Sequence, residues 1–191
     1  MTREEVLDIF SKTEAMLTGH FRLTSGKHSN RYFQCAQVLQ HPQYTGMLCQ
    51  ELAKDFADQG VQTVIGPAMG GIIVSYEVGR ALGVRSIFTE RENGKMALRR
   101  NFHIEPGEKV LVVEDVITTG GSVAEVIEVV KALGGEVVGV GVLVDRSNGK
   151  ADLGVPTKAL LTVTVETYEP DNCPLCAQGL PAIKPGSRQV P

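Results

Sequence analysis

Two adjacent carboxylates, Glu114 and Asp115, close the apolar run Val110-Leu111-Val112-Val113. Val116 and Ile117 follow, and then the small-residue stretch Thr118-Thr119-Gly120-Gly121-Ser122. Each part has a chemical use. A Gly-Gly pair lets backbone N–H groups turn inward and surround an anion. A helix starting just after it adds free N–H groups and the positive end of its dipole. Three hydroxyls supply further donors. Together these make a phosphate cradle. The carboxylates would repel that phosphate. They suit the hydroxyls of a sugar one ring away, or a hydrated Mg²⁺, and a phosphorylated ribose fits both halves. The plainer alternative is a tight turn with Ser122 as a helix cap and two solvated acids. Other phosphate loops fit less well. No Gly-x-x-x-x-Gly-Lys-Ser/Thr occurs, and Gly139-x-Gly141 lies inside an expected strand instead of opening a helix.

The elements that must hold this loop follow a rhythm. Helical stretches stop near Gly60, at Gly83 and at Gly134, and each is followed by a short β-branched run: Val64-Ile65, Ile87-Phe88, Val137-Val138. Gly after a helix relieves the left-handed backbone there. The alternation predicts helices crossing over a parallel sheet, and the sparse polar alternation predicts strands buried on both faces. Upstream, Thr2-x-x-Glu5 is a capping box for a helix carrying Val6, Ile9, Phe10 and Leu17. A polar stretch runs from Thr18 to Asn30. A second helix is expected from about Pro42 to before Gly60, with Leu48, Leu52, Ala53 and Phe56 on one face. Asn93-Gly94 signals a hairpin within a charged segment, Thr89 to Gly107. Residues 91–100 hold four basic groups and one acid, a local +3. The Pro- and Gly-rich tail after Tyr168 is expected to be irregular.

Composition narrows the class. The 191 residues are 42% hydrophobic and 21% charged, with a formal net charge of −3. This excludes a disordered chain and a strongly basic nucleic-acid coat. One domain of this length needs no disulfide or metal to build a core. Aromatics are 5% with no Trp, which disfavours a base-stacking platform. No signal-like apolar segment or membrane-length run is present, and the four cysteines are scattered. The expected setting is soluble, reducing and cytoplasmic. Cys173-Pro174-Leu175-Cys176 is half a zinc site, and the sequence shows no second pair or nearby His. The expectation there is no metal and no redox role. His20, His41 and His103 have no ligand-like spacing and read as structural.

The stretch Val110–Ser122 resembles the phosphoribosyl-diphosphate (PRPP) signature of type I phosphoribosyltransferases. Across nearly its whole length the chain is similar to the orotate phosphoribosyltransferase family. Three further segments carry that likeness: Leu23–Phe33, Ile65–Ile72 and Val142-Leu143-Val144-Asp145-Arg146. The resemblance implies one phosphoribosyltransferase domain, residues 1–191, of α/β class. It would have a parallel-sheet core, flanking helices, a mobile hairpin loop and a small hood from about residues 1–40 plus the tail.

The resemblance also assigns roles. PRPP would be bound by Glu114, Asp115, Val116, Ile117, Thr118, Thr119, Gly120, Gly121 and Ser122, with Arg91 and Lys95 from the loop. Glu114 and Asp115 would hold the ribose hydroxyls, and Thr119 to Ser122 the 5-phosphate. Thr118 and Arg146 would bind orotate. Asp115 and Lys95 would be catalytic. Mg²⁺ would arrive with PRPP, without direct protein ligands. The loop would serve a neighbouring subunit in a homodimer. No nucleic-acid or membrane partner is implied. The chain departs from better-known members by lacking basic residues near Thr24, Gly70, Glu92 and Ala97. Lys27, Arg99 and Arg100 are the candidates to replace them. Three other readings stand beside this one: transfer to another base such as adenine, a non-catalytic PRPP-sensing regulator, and a plain nucleotide-binding domain. Arg146 and the Leu23–Phe33 segment favour an anionic base. The negative charge and lack of a basic helix disfavour a DNA-binding regulator.

Overall fold

Helix α1 (Arg3–Lys12) starts at the capping box. The Glu5 backbone N–H donates to Thr2 Oγ1 at 3.2 Å, and the Thr2 N–H donates to Glu5 Oε2 at 2.7 Å. The helix ends before the sequence pattern predicts. Thr13 turns its hydroxyl back onto the Ile9 carbonyl at 2.8 Å, and Glu14 takes a left-handed φ of 54°. Leu17 therefore belongs to the next element, strand β1 (Met16–Arg22). The computed structural model describes residues 1–23, 25–164 and 166–185. Thr24, where the family comparison marks a missing Lys, lies outside them.

Strand β1 pairs antiparallel with β2 (His28–Phe33), which pairs antiparallel with β9 (Thr167–Tyr168). The stretch from Thr18 to Asn30, whose polarity hid its structure, is mostly this small sheet. Next come a single turn, α2 (Ala36–Leu39), and α3 (Pro42–Lys54), with Pro42 in its first turn. The α/β rhythm then runs as expected: β3 (Thr63–Pro67), α4 (Gly70–Leu82), β4 (Arg85–Glu92), β5 (Lys95–Leu98), β6 (Lys109–Ile117), α5 (Gly121–Ala132), β7 (Glu136–Asp145) and β8 (Thr157–Thr162). In the tail, a 3-10 turn at Pro170–Asn172 and a one-turn helix, α6 (Pro174–Ala177), follow β9.

The large sheet has strand order β5-β4-β3-β6-β7-β8 and is parallel except for β5. Strand β5 returns antiparallel to β4 through Asn93 and Gly94, both at positive φ (50° and 81°), the hairpin that the Asn-Gly pair predicts. One face of the sheet packs against α1, α3 and α4 through Phe10, Leu48, Leu52, Phe56 and Val74. The other packs against α5 through Val123, Val126, Ile127 and Val130. Gly139 and Gly141 serve the first of these contacts. A Cβ on either would stand 3.0 and 3.1 Å from the Phe56 ring, so they let α3 approach β7 closely. At the N-terminal edge of the sheet Arg85 bridges the Glu108 carboxylate at 2.7 Å and the Thr63 hydroxyl at 2.9 Å. No helix among the described residues is long and apolar enough to cross a membrane.

Candidate active site

In open parallel sheets, ligands bind beyond the carboxyl ends of the strands. Here those ends are Pro67 of β3, Ile117 of β6 and Asp145 of β7, which are adjacent in the sheet. Three of the four segments singled out in the sequence, Val110–Ser122, Ile65–Ile72 and Val142–Arg146, meet there. Thr118 to Gly120 connect β6 to α5, and Gly120 takes φ 79° at the helix N-cap. Only a residue without Cβ rests easily in this place, because a Cβ would also stand 2.9 Å from Leu153 Cδ2. No side chain caps α5, and its first turn carries no acid. Ser122 is therefore not a cap. The N–H groups of the first turn stay open to a pocket of about 80 Å³ lined by Glu114 and residues 116–123.

Glu114 lines the pocket, and Asp115 follows it on β6. Glu114 is 9% exposed, and its backbone pairs in register with Val142 of β7. Burial pushes its carboxyl up, and the neighbouring Asp115 charge adds to the push. Burial raises Asp115 too, partly offset by hydrogen bonds from Glu114 and from the Val116 N–H at 2.8 Å. Burial penalises charge on both acids, so they gain most from hydroxyl donors or a cation. The loop after β3 closes over Asp115. A Cβ on Gly70 would stand 2.5 Å from Asp115 Oδ2, so the bare backbone of Gly70 forms one wall of this corner. The Ala68–Met69 peptide in the same loop is cis.

Arg146 occupies the third strand end. Its backbone N–H donates to the Ile117 carbonyl at 2.9 Å, which ties it to the end of β6 before the Thr118–Gly120 loop. Its side-chain Nε is buried and has no hydrogen-bond partner among the described residues. Burial lowers its pKa, with Tyr32 and Cys35 acting in the opposite sense. The buried thiol of Cys35 feels Asp115, Arg146 and Glu114 together and contacts the Asp115 carbonyl at 3.8 Å. Cys35 thus marks the point where the acids, the guanidinium and the small sheet converge.

Buried Asp145 shapes the turn beyond β7. It accepts the N–H groups of Ser147 at 2.7 Å and Gly149 at 2.9 Å. Sequence reasoning gave no role to Cys35 and none of its own to Asp145. Nothing in the spacing of Cys35 signals its place. An Asp at a strand end before Ser-x-Gly is, by contrast, a recognisable turn former.

The hairpin residues are placed differently. Arg91 makes a two-pronged pair with Glu125 of α5, both contacts at 2.9 Å, and also donates to the Gly94 carbonyl. Lys95 is exposed at the start of β5. The three substitute cations all stand in ion pairs: Arg99 with Glu92 at 3.3 Å, Arg100 with Glu90 at 2.7 Å and Lys27 with Glu169 at 2.7 Å.

Comparison with known proteins bears on this arrangement. The phosphoribosyl transferase domain family matches residues 35–167, which contain the whole large sheet. The orotate phosphoribosyltransferase of Desulforamulus reducens is 84% identical over 190 residues, covering 100% of both chains. This chain belongs to the orotate phosphoribosyltransferase family. The fold alone would not have decided it. A solved orotate phosphoribosyltransferase from Aeropyrum pernix superposes with a TM-score of 0.71 at 28% identity, covering 83% of this chain and 93% of that one. An adenine phosphoribosyltransferase from Rhodothermus marinus gives 0.67 at 22% identity, covering 84% and 99%. This phosphoribosyltransferase shares its scaffold with enzymes named for a different base, so the base must be read from the site.

Proposed function

We propose that this protein transfers the 5-phosphoribosyl group from PRPP to N1 of orotate, releasing diphosphate and forming orotidine 5′-monophosphate for UMP synthesis. Partly buried Arg146 carries the proposal: a guanidinium without a carboxylate partner among the described residues, beside the loop that would hold the phosphate. A planar guanidinium pairs in two-pronged fashion with a carboxylate, and orotate brings one. Thr118 faces the same acceptor. Thr119 to Ser122 hold the 5-phosphate through backbone N–H groups and hydroxyls. Glu114 and Asp115 accept the ribose 2- and 3-hydroxyls, with Val116 and Ile117 completing the loop.

Orotate is an anion through its carboxylate, while its N1 carries a proton that must leave as the new bond forms. The bond from ribose C1 to the diphosphate oxygen breaks, and the leaving group takes the electron pair. The bond from N1 to C1 forms as the N1–H bond breaks, and the proton passes to the released diphosphate. Positive charge grows on the ribose ring meanwhile, and Asp115 with Glu114 stabilises it as well as fixing the ring. Oxygen donors line this corner, and the Cys35 thiol stays protonated because burial pushes it up. That donor set suits Mg²⁺ carried in by PRPP, which prefers oxygen and keeps several waters. When bound, Mg²⁺ neutralises charge on the departing diphosphate. Lys95, brought by movement of the hairpin, covers the same group and excludes water. Arg91 joins it once released from Glu125. The hairpin acts on the site of a second subunit, so the working form is a homodimer. The small sheet and tail form a hood over orotate within a single domain. Free buried thiols at Cys35 and Cys49 fit a cytoplasmic setting.

The test is product formation with PRPP and Mg²⁺, comparing orotate with adenine. Orotate consumption with stoichiometric diphosphate release is expected. Turnover of adenine but not orotate would overturn the proposal.

A further inference from the structure

Among the described residues of the small sheet, β1, β2 and β9, the buried apolar side chains are Phe21 and Phe33. Among its strands and the tail, the buried side chains include His20 at 5% exposure, His28 at 7% and Cys173 at 4%, while Leu180 and Ile183 lie exposed. A three-stranded sheet this small usually needs a staple. The fold brings four side chains together at that place: His20 of β1, His28 of β2, and Cys173 and Cys176 of the tail. One donor atom from each lies within 4.8 Å of all the others. The Cys-x-x-Cys that lacks a partner in sequence has its partners about 150 residues away, across the hood.

We propose that these four residues form a structural Zn²⁺ site, Cys₂His₂, that fastens the C-terminal tail to the hood. The distances match the chemistry. With Zn–S about 2.3 Å and Zn–N about 2.0–2.1 Å, a tetrahedron has S–N edges of about 3.5 Å and an N–N edge of about 3.4 Å. Cys173 Sγ stands 3.5 Å and Cys176 Sγ 3.8 Å from His20 Nε2. Cys176 Sγ stands 3.3 Å from His28 Nδ1. His20 Nε2 and His28 Nδ1 are 2.9 Å apart, so a shift of about half an ångström completes the shape.

The surroundings fix the ligand atoms. His20 Nδ1 is 2.8 Å from the Leu180 carbonyl, which can only accept, so Nδ1 carries the proton and Nε2 keeps its lone pair. Without metal, the short contact to His28 needs a proton between the rings. With metal, the cation takes that place and His28 holds its proton on Nε2. On loading, each thiol passes its proton to solvent and its sulfur binds Zn²⁺ as thiolate. Two thiolates, two neutral imidazoles and one Zn²⁺ sum to zero charge, which suits a buried site. Nothing is oxidised. Four protein ligands leave no open position, so the site is structural and not catalytic. Backbone contacts tighten the same seam: Ile183 N–H donates to the His20 carbonyl and Arg22 N–H to the Ile183 carbonyl, both at 2.8 Å.

The test measures metal in the full-length protein, purified under reduction without chelator and then incubated with Zn²⁺ and desalted. About one zinc per chain is expected, and Co²⁺ in its place should give the intense visible bands of tetrahedral sulfur–nitrogen ligation. Cys176 is exposed, so Cys176→Ser should fold normally yet lose more than about tenfold in zinc affinity against a chromogenic chelator. His28→Gln should do the same. Wild type that takes up no zinc, a Cys173–Cys176 disulfide seen by mass spectrometry in that preparation, or full zinc retention by both variants would each overturn the proposal.

Discussion

Arg146 offers a test in which stability and function should move in opposite directions. Its Nε is buried without a partner among the described residues, and burial lowers its pKa, so the free protein holds a cation at a cost. Replacing it by Met keeps most of the aliphatic stem and removes the unsatisfied donor and its charge. An unsatisfied buried polar group costs about 1–3 kcal/mol. Arg146 is only partly buried, so the low end applies, about 1 kcal/mol. For a chain of this length that corresponds to a rise in melting temperature of about 2–4 °C. Binding should fall in return. A hydrogen bond to a charged group contributes about 1.5–3 kcal/mol. Loss of a single one then raises the KM for orotate about 10- to 100-fold, while the KM for PRPP changes little. The assays are thermal unfolding of ligand-free protein at fixed concentration and initial rates with each substrate varied in turn. A lower melting temperature combined with unchanged orotate KM would refute the reasoning. Arg146 would then be a packing residue.

Other outcomes follow from the same geometry. Glu114 is pushed up to about 9 in the fold against an ordinary 4.5. Between those values the native state holds a proton that the unfolded chain has released, so stability falls as pH rises through that window. Glu114→Gln should flatten this dependence, and its melting temperature should gain most on wild type at about pH 9; parallel pH profiles would count against the assignment. Gly120→Ala meets both φ 79° and Leu153, so it should destabilise by at least about 1 kcal/mol and raise the KM for PRPP more than that for orotate. Lys95→Ala should leave melting unchanged because the side chain is exposed, while kcat drops about 100-fold. An undiminished kcat would remove Lys95 from the mechanism.

The parts of the fold legible in the sequence are those where local rules act alone. The Thr2–Glu5 box, the Asn93-Gly94 turn and the Gly83 stop each depend on a few neighbouring residues. The turn from β6 into α5 was legible for the same reason, since its signal is contiguous from Glu114 to Ser122. The hood was not. Strands β1 and β2 carry Thr18, His20, His28 and Asn30 in place of alternating apolar residues, so no period of two announces them. What holds His20 and His28 buried is a tail about 150 residues further on. The pairing of Arg91 with Glu125 was hidden likewise, because it joins the hairpin to a helix across an intervening strand.

The account rests most directly on one ratio, the specificity constant for orotate against that for uracil, measured with saturating PRPP and Mg²⁺. Uracil has the same ring but no carboxylate for Arg146. One lost charge-assisted contact, with a partly buried guanidinium left unpaired, predicts a preference for orotate of more than about 10-fold. Equal specificity for the two bases would contradict the account, because Arg146 would then play no part in choosing the substrate.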